Sequence, residues 1–269
     1  MNLAKRYRVT EGHKVDLASF DTRDTGDVDD KEEGRRRLRE NIGRLNDLQA
    51  RLYAEHKRSL LVVLQGMDTA GKDGTIRRVM TGVNPQGCRV QSFKSPSAEE
   101  LNHDFLWRIH KAVPSRGMIG LFNRSHYEDV LIVRVHDLVP ESIWSARYGQ
   151  INRFEQNLAE NGTTILKFFI HISRDEQKKR LQARLEDPGK TWKFNPADIK
   201  ERKKWDDYIE AYEAVLEKCS TRWAPWFVIP SDRKWHRNLA VSEILADTLE
   251  SMDLQIPKPD FDPAGIVIE

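Results

Sequence analysis

The chain has 269 residues, with 44 Lys plus Arg against 42 Asp plus Glu and a formal net charge of +2. This length supports one large α/β domain with appendages, and the two cysteines, Cys88 and Cys219, exclude a disulfide framework. The near-balanced charge says nothing about a polyanionic partner, and no nucleic acid is expected as one. No eighteen apolar residues run together and the opening "MNLAKRYRVTEGHKVDL" lacks an apolar signal core, so no membrane span and a reduced, cytoplasmic setting are expected.

In chain order, residues 1–30 read as an extended arm, since Asp, Thr and Gly cluster in "DTRDTGDVDD" and no period persists. A basic helix follows. Leu38, Ile42, Leu45, Leu48 and Leu52 recur at three- and four-residue steps and mark one buried stripe. The pattern then alternates between strands and helices. Strands are expected at Leu60 to Gln65, Arg89 to Phe93, Met118 to Phe122, Thr164 to Ile172 and Trp226 to Ile229, with intervals long enough for crossover helices. That spacing predicts a parallel sheet covered on both faces, with its site at the carboxyl ends of the strands. Between residues 175 and 220 two helical patterns flank "LEDPGKTWKFNP", where Pro188, Gly189 and Pro196 force a loop. The hairpin is either a lid over a phosphate site or an ordinary helical connection. The two basic runs, Lys31 to Arg58 and Arg174 to Lys204, read as solvated helix faces or as the surface for a soluble phosphate polymer.

The chemistry concentrates after two of the strands. In "LLVVLQGMDTAGKDGTI" the loop Gly66, Met67, Asp68, Thr69, Ala70, Gly71, Lys72, Asp73 joins a strand to a helix in the G-x-x-x-x-G-K pattern. Loop N–H groups, a helix N-terminus and Lys72 together would hold adjacent phosphates. The Ser or Thr that ordinarily follows Lys72 is replaced by Asp73. Asp68 and Asp73 put two hard carboxylates in the same turn, which suits Mg2+, with Asp68 as the first metal-side residue. Asp73 also reads as a first-turn acid answering the helix dipole. The strand of "MIGLFNRSHYEDVLIVRV" ends at Asn123, a neutral oxygen where an Asp is usual, so Glu128 or Asp129 is expected to supply the charge. Arg124 has the donor fork suited to a phosphoryl group, or pairs an acid structurally. His126 reads as a hydrogen-bonded structural residue.

Together, "GMDTAGKDGTI", "VNPQGCRVQSFKSPS", "LWRIHKAVPSRG", "FNRSHYEDVLIVRVH", "ILKFFIHISRDEQKKRL" and "APWFVIP" resemble the type-two polyphosphate kinases, in particular their class III. The likeness runs from the basic helix to the helices after Pro230. It implies a P-loop kinase-like three-layer α/β/α sandwich with a parallel five-stranded sheet and a helical lid. It also implies Mg2+-dependent phosphate transfer between inorganic polyphosphate and nucleoside mono- and diphosphates, and a homo-oligomer, a tetramer or dimer. Adenine nucleotides are the expected acceptors, with guanine a further candidate. Position by position, the resemblance places Asp68 and Lys72 at the phosphate and metal centre, Asn123 and Arg124 at the end of the third strand, Glu128 at the position that separates monophosphate-accepting members, and Arg134 as another phosphate-side arginine. Arg180, Arg184, Lys190 and Lys193 fall on its basic lid. The domain reading is therefore an arm over 1–30, a kinase domain over 31–255 with the lid inserted at about 175–220, and a tail over 256–269. Two alternatives share these residues: an ATP-dependent nucleoside monophosphate kinase, and a non-catalytic polyanion-binding protein.

Overall fold

Five strands, β1 (Ser59–Gln65), β2 (Cys88–Ser92), β3 (Ile119–Asn123), β4 (Thr163–His171) and β5 (Trp226–Pro230), pair in parallel in the order β2-β3-β1-β4-β5. Each lies within one residue of its expected start. The computed structural model describes residues 2–28, 30–263, 266 and 268. β1 is buried along its whole length and β4 along nearly all of it, so both read as continuous apolar runs, as parallel strands covered on two faces must. The register aligns Leu64 of β1 with Asn123 of β3 and Phe168 of β4, bringing the ends of β1 and β3 level.

The helices, in order, are α1 (Leu3–Tyr7), α2 (Lys31–Glu55), α3 (Lys72–Val79), α4 (Ala98–Leu101), α5 (Trp107–His110), α6 (Ile132–Val135), α7 (Glu141–Glu160), α8 (Arg174–Glu186), α9 (Ala197–Lys203), α10 (Trp205–Cys219) and α11 (Lys234–Ser251). One face of the sheet carries α3 and α11, with α2 packed along α11; the other carries α7 with α10 against it. This is the expected three-layer arrangement. The α2 stripe buries Leu38, Leu45 and Leu52, while Ile42 and Leu48 are half-buried. Its arginines meet acids: Arg36 pairs with Glu33 at 2.7 Å and Arg44 with Asp247 and Glu250 at 2.8 and 2.6 Å. Much of the first basic run is thus paired with acids of α2 itself or of α11.

The N-terminal residues differ from the extended arm expected for them. Asn2 caps α1, and Leu3, Tyr7, Val9, Val15, Leu17 and Val28 join the main core. Val9 N donates to Trp226 O at 2.9 Å, tying the segment beside β5. These apolar residues have no regular spacing, because each is delivered by a turn. Met1 and Asp29 of this segment, and Ala264, Gly265, Val267 and Glu269 of the C-terminal tail, lie outside the described residues; the tail is exposed where described.

Candidate active site

The loop after β1 turns sharply because Gly66 holds φ at +153°, and a Cβ there would meet Ile170 O at 2.7 Å. Only glycine fits both demands. Gly71 then caps α3 without any side-chain hydrogen bond, so the first-turn N–H groups of α3 stay available to an anion. Lys72 Nζ folds back onto the loop, donating to Gly66 O at 2.6 Å and Met67 O at 3.3 Å. Burial, with Arg124 nearby, pushes its ammonium down to about 8 despite Asp68, Glu128 and Asp73.

The turn after β3 supplies the facing wall. Arg124 adopts a left-handed φ of +62°, a strained conformation for this residue type. Ser125 holds the turn: its Oγ accepts from Tyr127 N and from Gln65 Nε2 of β1, both at 3.2 Å. Arg124 bridges two carboxylates, with Nη2 donating to Asp68 Oδ1 at 2.9 Å and Nη1 lying 3.7 Å from Glu128 Oε2. Asn123 Nδ2 donates to Asp73 Oδ1. Of the two acids expected to compensate for Asn123, Glu128 reaches Arg124 but does not itself line the cavity beside the loop. Asp129 turns to Arg147 at 3.2 Å, and burial raises its carboxyl to about 6. His126 is fully buried against Glu155 at 3.2 Å, as its structural reading required.

A cavity of about 780 Å³ opens from this loop, lined by ten cationic side chains and the carboxylates Asp68 and Asp73. Lys72, Asn123, Arg124, Arg184, Lys190 and Lys193 all line it, so residues far apart in sequence converge. Arg184 sits 3.6 Å from Asp198, while Lys190 pairs with Asp187 at the tip of the hairpin. Arg180 also lines the cavity, but its guanidinium is committed to the protein. It donates to Thr69 O and Ala70 O at 3.1 and 2.8 Å, to Ser231 O at 2.6 Å and to Glu176 at 2.8 Å, and so braces the loop after β1 against the end of β5.

Arg134 is not brought to the loop. It sits on α6, pairs with Glu210 of α10 and stacks its guanidinium over Trp144 at 5.0 Å, away from the cavity walls. The sequence reading also missed cavity residues: Arg77 and Arg78 on α3, and Lys234, Arg237 and Asn238 on α11. The pair after the loop is visible as "TIRRVM", one helical turn beyond Lys72. The α11 residues carry no motif to reveal them.

The family model described as Polyphosphate kinase 2 (PPK2) matches residues 28–257. The chain is 52% identical over 269 residues to an AMP/ADP-polyphosphate phosphotransferase of Meiothermus ruber, covering 98% of this chain and 100% of that one. It is 49% identical over 266 residues to an ADP-polyphosphate phosphotransferase of Rhodopseudomonas palustris, covering 94% and 92%. Among solved structures, polyphosphate kinase 2 from Arthrobacter aurescens TC1 superposes with a TM-score of 0.95 at 47% identity, over 98% of this chain and 94% of that chain. With a family model spanning most of its length and relatives matched nearly end to end, the chain belongs to the polyphosphate kinase 2 (PPK2) family.

Proposed function

We propose that this protein is a polyphosphate kinase that transfers phosphate between inorganic polyphosphate and AMP or ADP, making ADP and ATP, with Mg2+. The observation that carries the reading is the cavity, where ten cations surround two carboxylates along a path from the phosphate loop to the α8–α9 hairpin. Even with Arg180, Arg184 and Lys190 paired to Glu176, Asp198 and Asp187, the cations left over outnumber the two carboxylates, a surplus that suits a polyanionic chain. The names of the Meiothermus ruber and Rhodopseudomonas palustris relatives support the same donor. The first of them, named for both AMP and ADP, supports the class III reading.

Phosphoryl transfer needs donor and acceptor in line and the charge of the moving group neutralised. Lys72, the α3 N-terminus and Arg124 meet those needs around the loop, and the strained turn at Arg124 keeps its fork fixed before substrate arrives. Asp68 and Asp73 are the residues that would hold Mg2+, which supplies further neutralisation of the phosphate oxygens. Among the described residues no group of three or more His, Cys, Asp or Glu side chains converges on a metal. Two carboxylates fit Mg2+, whose remaining ligands are ordinarily phosphate and water. Closure of the α8–α9 hairpin as a lid, through Arg184, Lys190 and Lys193, would exclude water from the transfer. Guanine nucleotides as acceptors and self-association belong to the same proposal.

The test is purified protein with Mg2+, polyphosphate and either AMP or ADP, without ATP. New phosphoanhydride product is expected from both acceptors. Product from ADP alone would remove the class III part of the reading, and product with ATP but never with polyphosphate would replace the donor.

A further inference from the structure

Arg237, in the first turn of α11, is 3% exposed and packs against the start of α3. Its Nη1 donates to Ala70 O at 3.2 Å, while Nε and Nη2 share Asn238 Oδ1 at 3.2 and 2.9 Å. The phosphate loop is shaped around it. A Cβ at Gly71 would lie 1.9 Å from Arg237 Nη1, and one at Gly74 would lie 3.5 Å from Nη2, so the two glycines form the notch that admits the guanidinium.

This is a hostile place for a cation. Among the described residues no carboxylate forms an ion pair with Arg237. Burial, with Arg180 nearby, lowers its pKa to about 9. The N-terminus of α3 adds its own partial positive charge. An uncompensated buried charge destabilises a fold unless something else repays it. The hydrogen bond to the loop is no such repayment, because Ala70 O already accepts from Arg180 Nη1 at 2.8 Å and Ser231 Oγ at 2.7 Å. Arg237 nevertheless lines the cavity beside Lys234. An anionic ligand in the cavity would supply the counter-charge that the fold withholds.

We propose that Arg237, with Lys234, binds a phosphate unit of the polyphosphate donor on the α11 side of the loop, apart from the Lys72 and Arg124 pair that faces the transferred group. The proposal rests on the polyphosphate reading above. It separates a donor-holding contact from the acceptor: the effect falls on polyphosphate and leaves the nucleotide untouched.

Parent, Arg237→Met and Arg237→Lys are compared by melting temperature without ligand, by the melting shift that inorganic tripolyphosphate produces, and by kinetics with long polyphosphate and ADP. Arg237→Met is expected to melt no lower than the parent without ligand and to lose most of the tripolyphosphate shift. Its KM for polyphosphate should rise about tenfold, as expected for a lost charge-assisted contact, with KM for ADP unchanged. Arg237→Lys should recover most of both. A neutral variant that keeps the parent's tripolyphosphate shift and polyphosphate KM, or whose KM for ADP rises equally, overturns the proposal. If Arg237→Met does not fold, Arg237→Gln carries the same test; if neither neutral variant folds, the charge is structural and the proposal fails. A parent protein with no tripolyphosphate shift and no polyphosphate-dependent turnover overturns the donor reading itself, whatever the variants do.

Discussion

Behind the turn that carries Arg124 and Glu128, Lys167 of β4 and Glu155 of α7 form an ion pair with both side chains fully buried. Lys167 Nζ reaches Glu155 Oε2 at 2.5 Å, Cys219 O at 2.7 Å and Tyr127 Oη at 2.8 Å, so its three protons each have an acceptor. Tyr127 Oη donates in turn to Glu155 Oε1 at 2.9 Å, and His126 Nε2 lies 3.2 Å from the same oxygen. Burial alone would raise the Glu155 carboxyl, but Lys167 and His126 outweigh it and hold it below the usual range. Lys167→Met leaves that carboxylate buried without its ammonium and should cost about 3–5 kcal/mol. The double variant Glu155→Leu, Lys167→Met removes both charges and should cost less than Lys167→Met alone, because a well-packed apolar pair can replace a buried ion pair with little net loss. Urea unfolding of the parent, both single variants and the double at neutral pH gives the coupling directly, provided the m-values agree. A loss below about 1 kcal/mol for Lys167→Met, or a double variant that loses the sum of the singles, refutes the reasoning. Tyr127 and His126 sit in the turn itself, so folded Lys167→Met protein should also lose kcat through a displaced Arg124.

Lys72 is held near 8 by burial and by Arg124, so the free enzyme loses this charge as pH rises through that value, and kcat/KM for polyphosphate should fall there. Bound phosphate favours the ammonium, so kcat should hold to higher pH; a kcat/KM profile flat well past that value contradicts the assignment. Glu128 touches the site through Arg124 at 3.7 Å, and Glu128→Ala should lower kcat/KM for AMP by about tenfold while ADP loses less. Equal losses for the two acceptors would mean that Glu128 only orders the arginine. Neutralising Arg184 and Lys193 together should weaken long-chain polyphosphate binding and flatten its salt dependence. Identical affinities for variant and parent across a salt series would move the polymer track off the hairpin.

The sheet was legible because buried parallel strands leave nearly uninterrupted apolar runs, so β1, β3 and β4 announce themselves as "LLVVLQ", "IGLFN" and "TTILKFFIH". The loop was legible because its positive-φ glycines, Gly66 and Gly71, are demanded by backbone geometry and stand at a fixed spacing before Lys72. The rest depended on where side chains point. Arg134 and Arg124 look alike in a motif, yet α6 turns the first toward Glu210 while the left-handed turn aims the second at Asp68. Arg180 looks like another lid cation until Ala70 O and Ser231 O are seen to occupy it. Arg237 reaches the loop only because α11 packs against α3, a tertiary contact with no local signal. The N-terminal segment lacks a sequence signal for a related reason: its apolar residues pack one at a time from turns, and such burial has no period.

Passage of phosphate from an inorganic polymer to a nucleotide in the cation-lined cavity can be followed in a single experiment. The most direct measurement is phosphorus NMR of parent protein mixed with Mg2+, polyphosphate and ADP, with no ATP added, beside Lys72→Ala protein shown by circular dichroism to be folded. Polyphosphate signal is expected to decline in step with the appearance of the ATP β-phosphate in the parent, and Lys72→Ala to show neither change. Unaltered polyphosphate in the parent sample, or the same conversion in folded Lys72→Ala protein, would contradict that transfer.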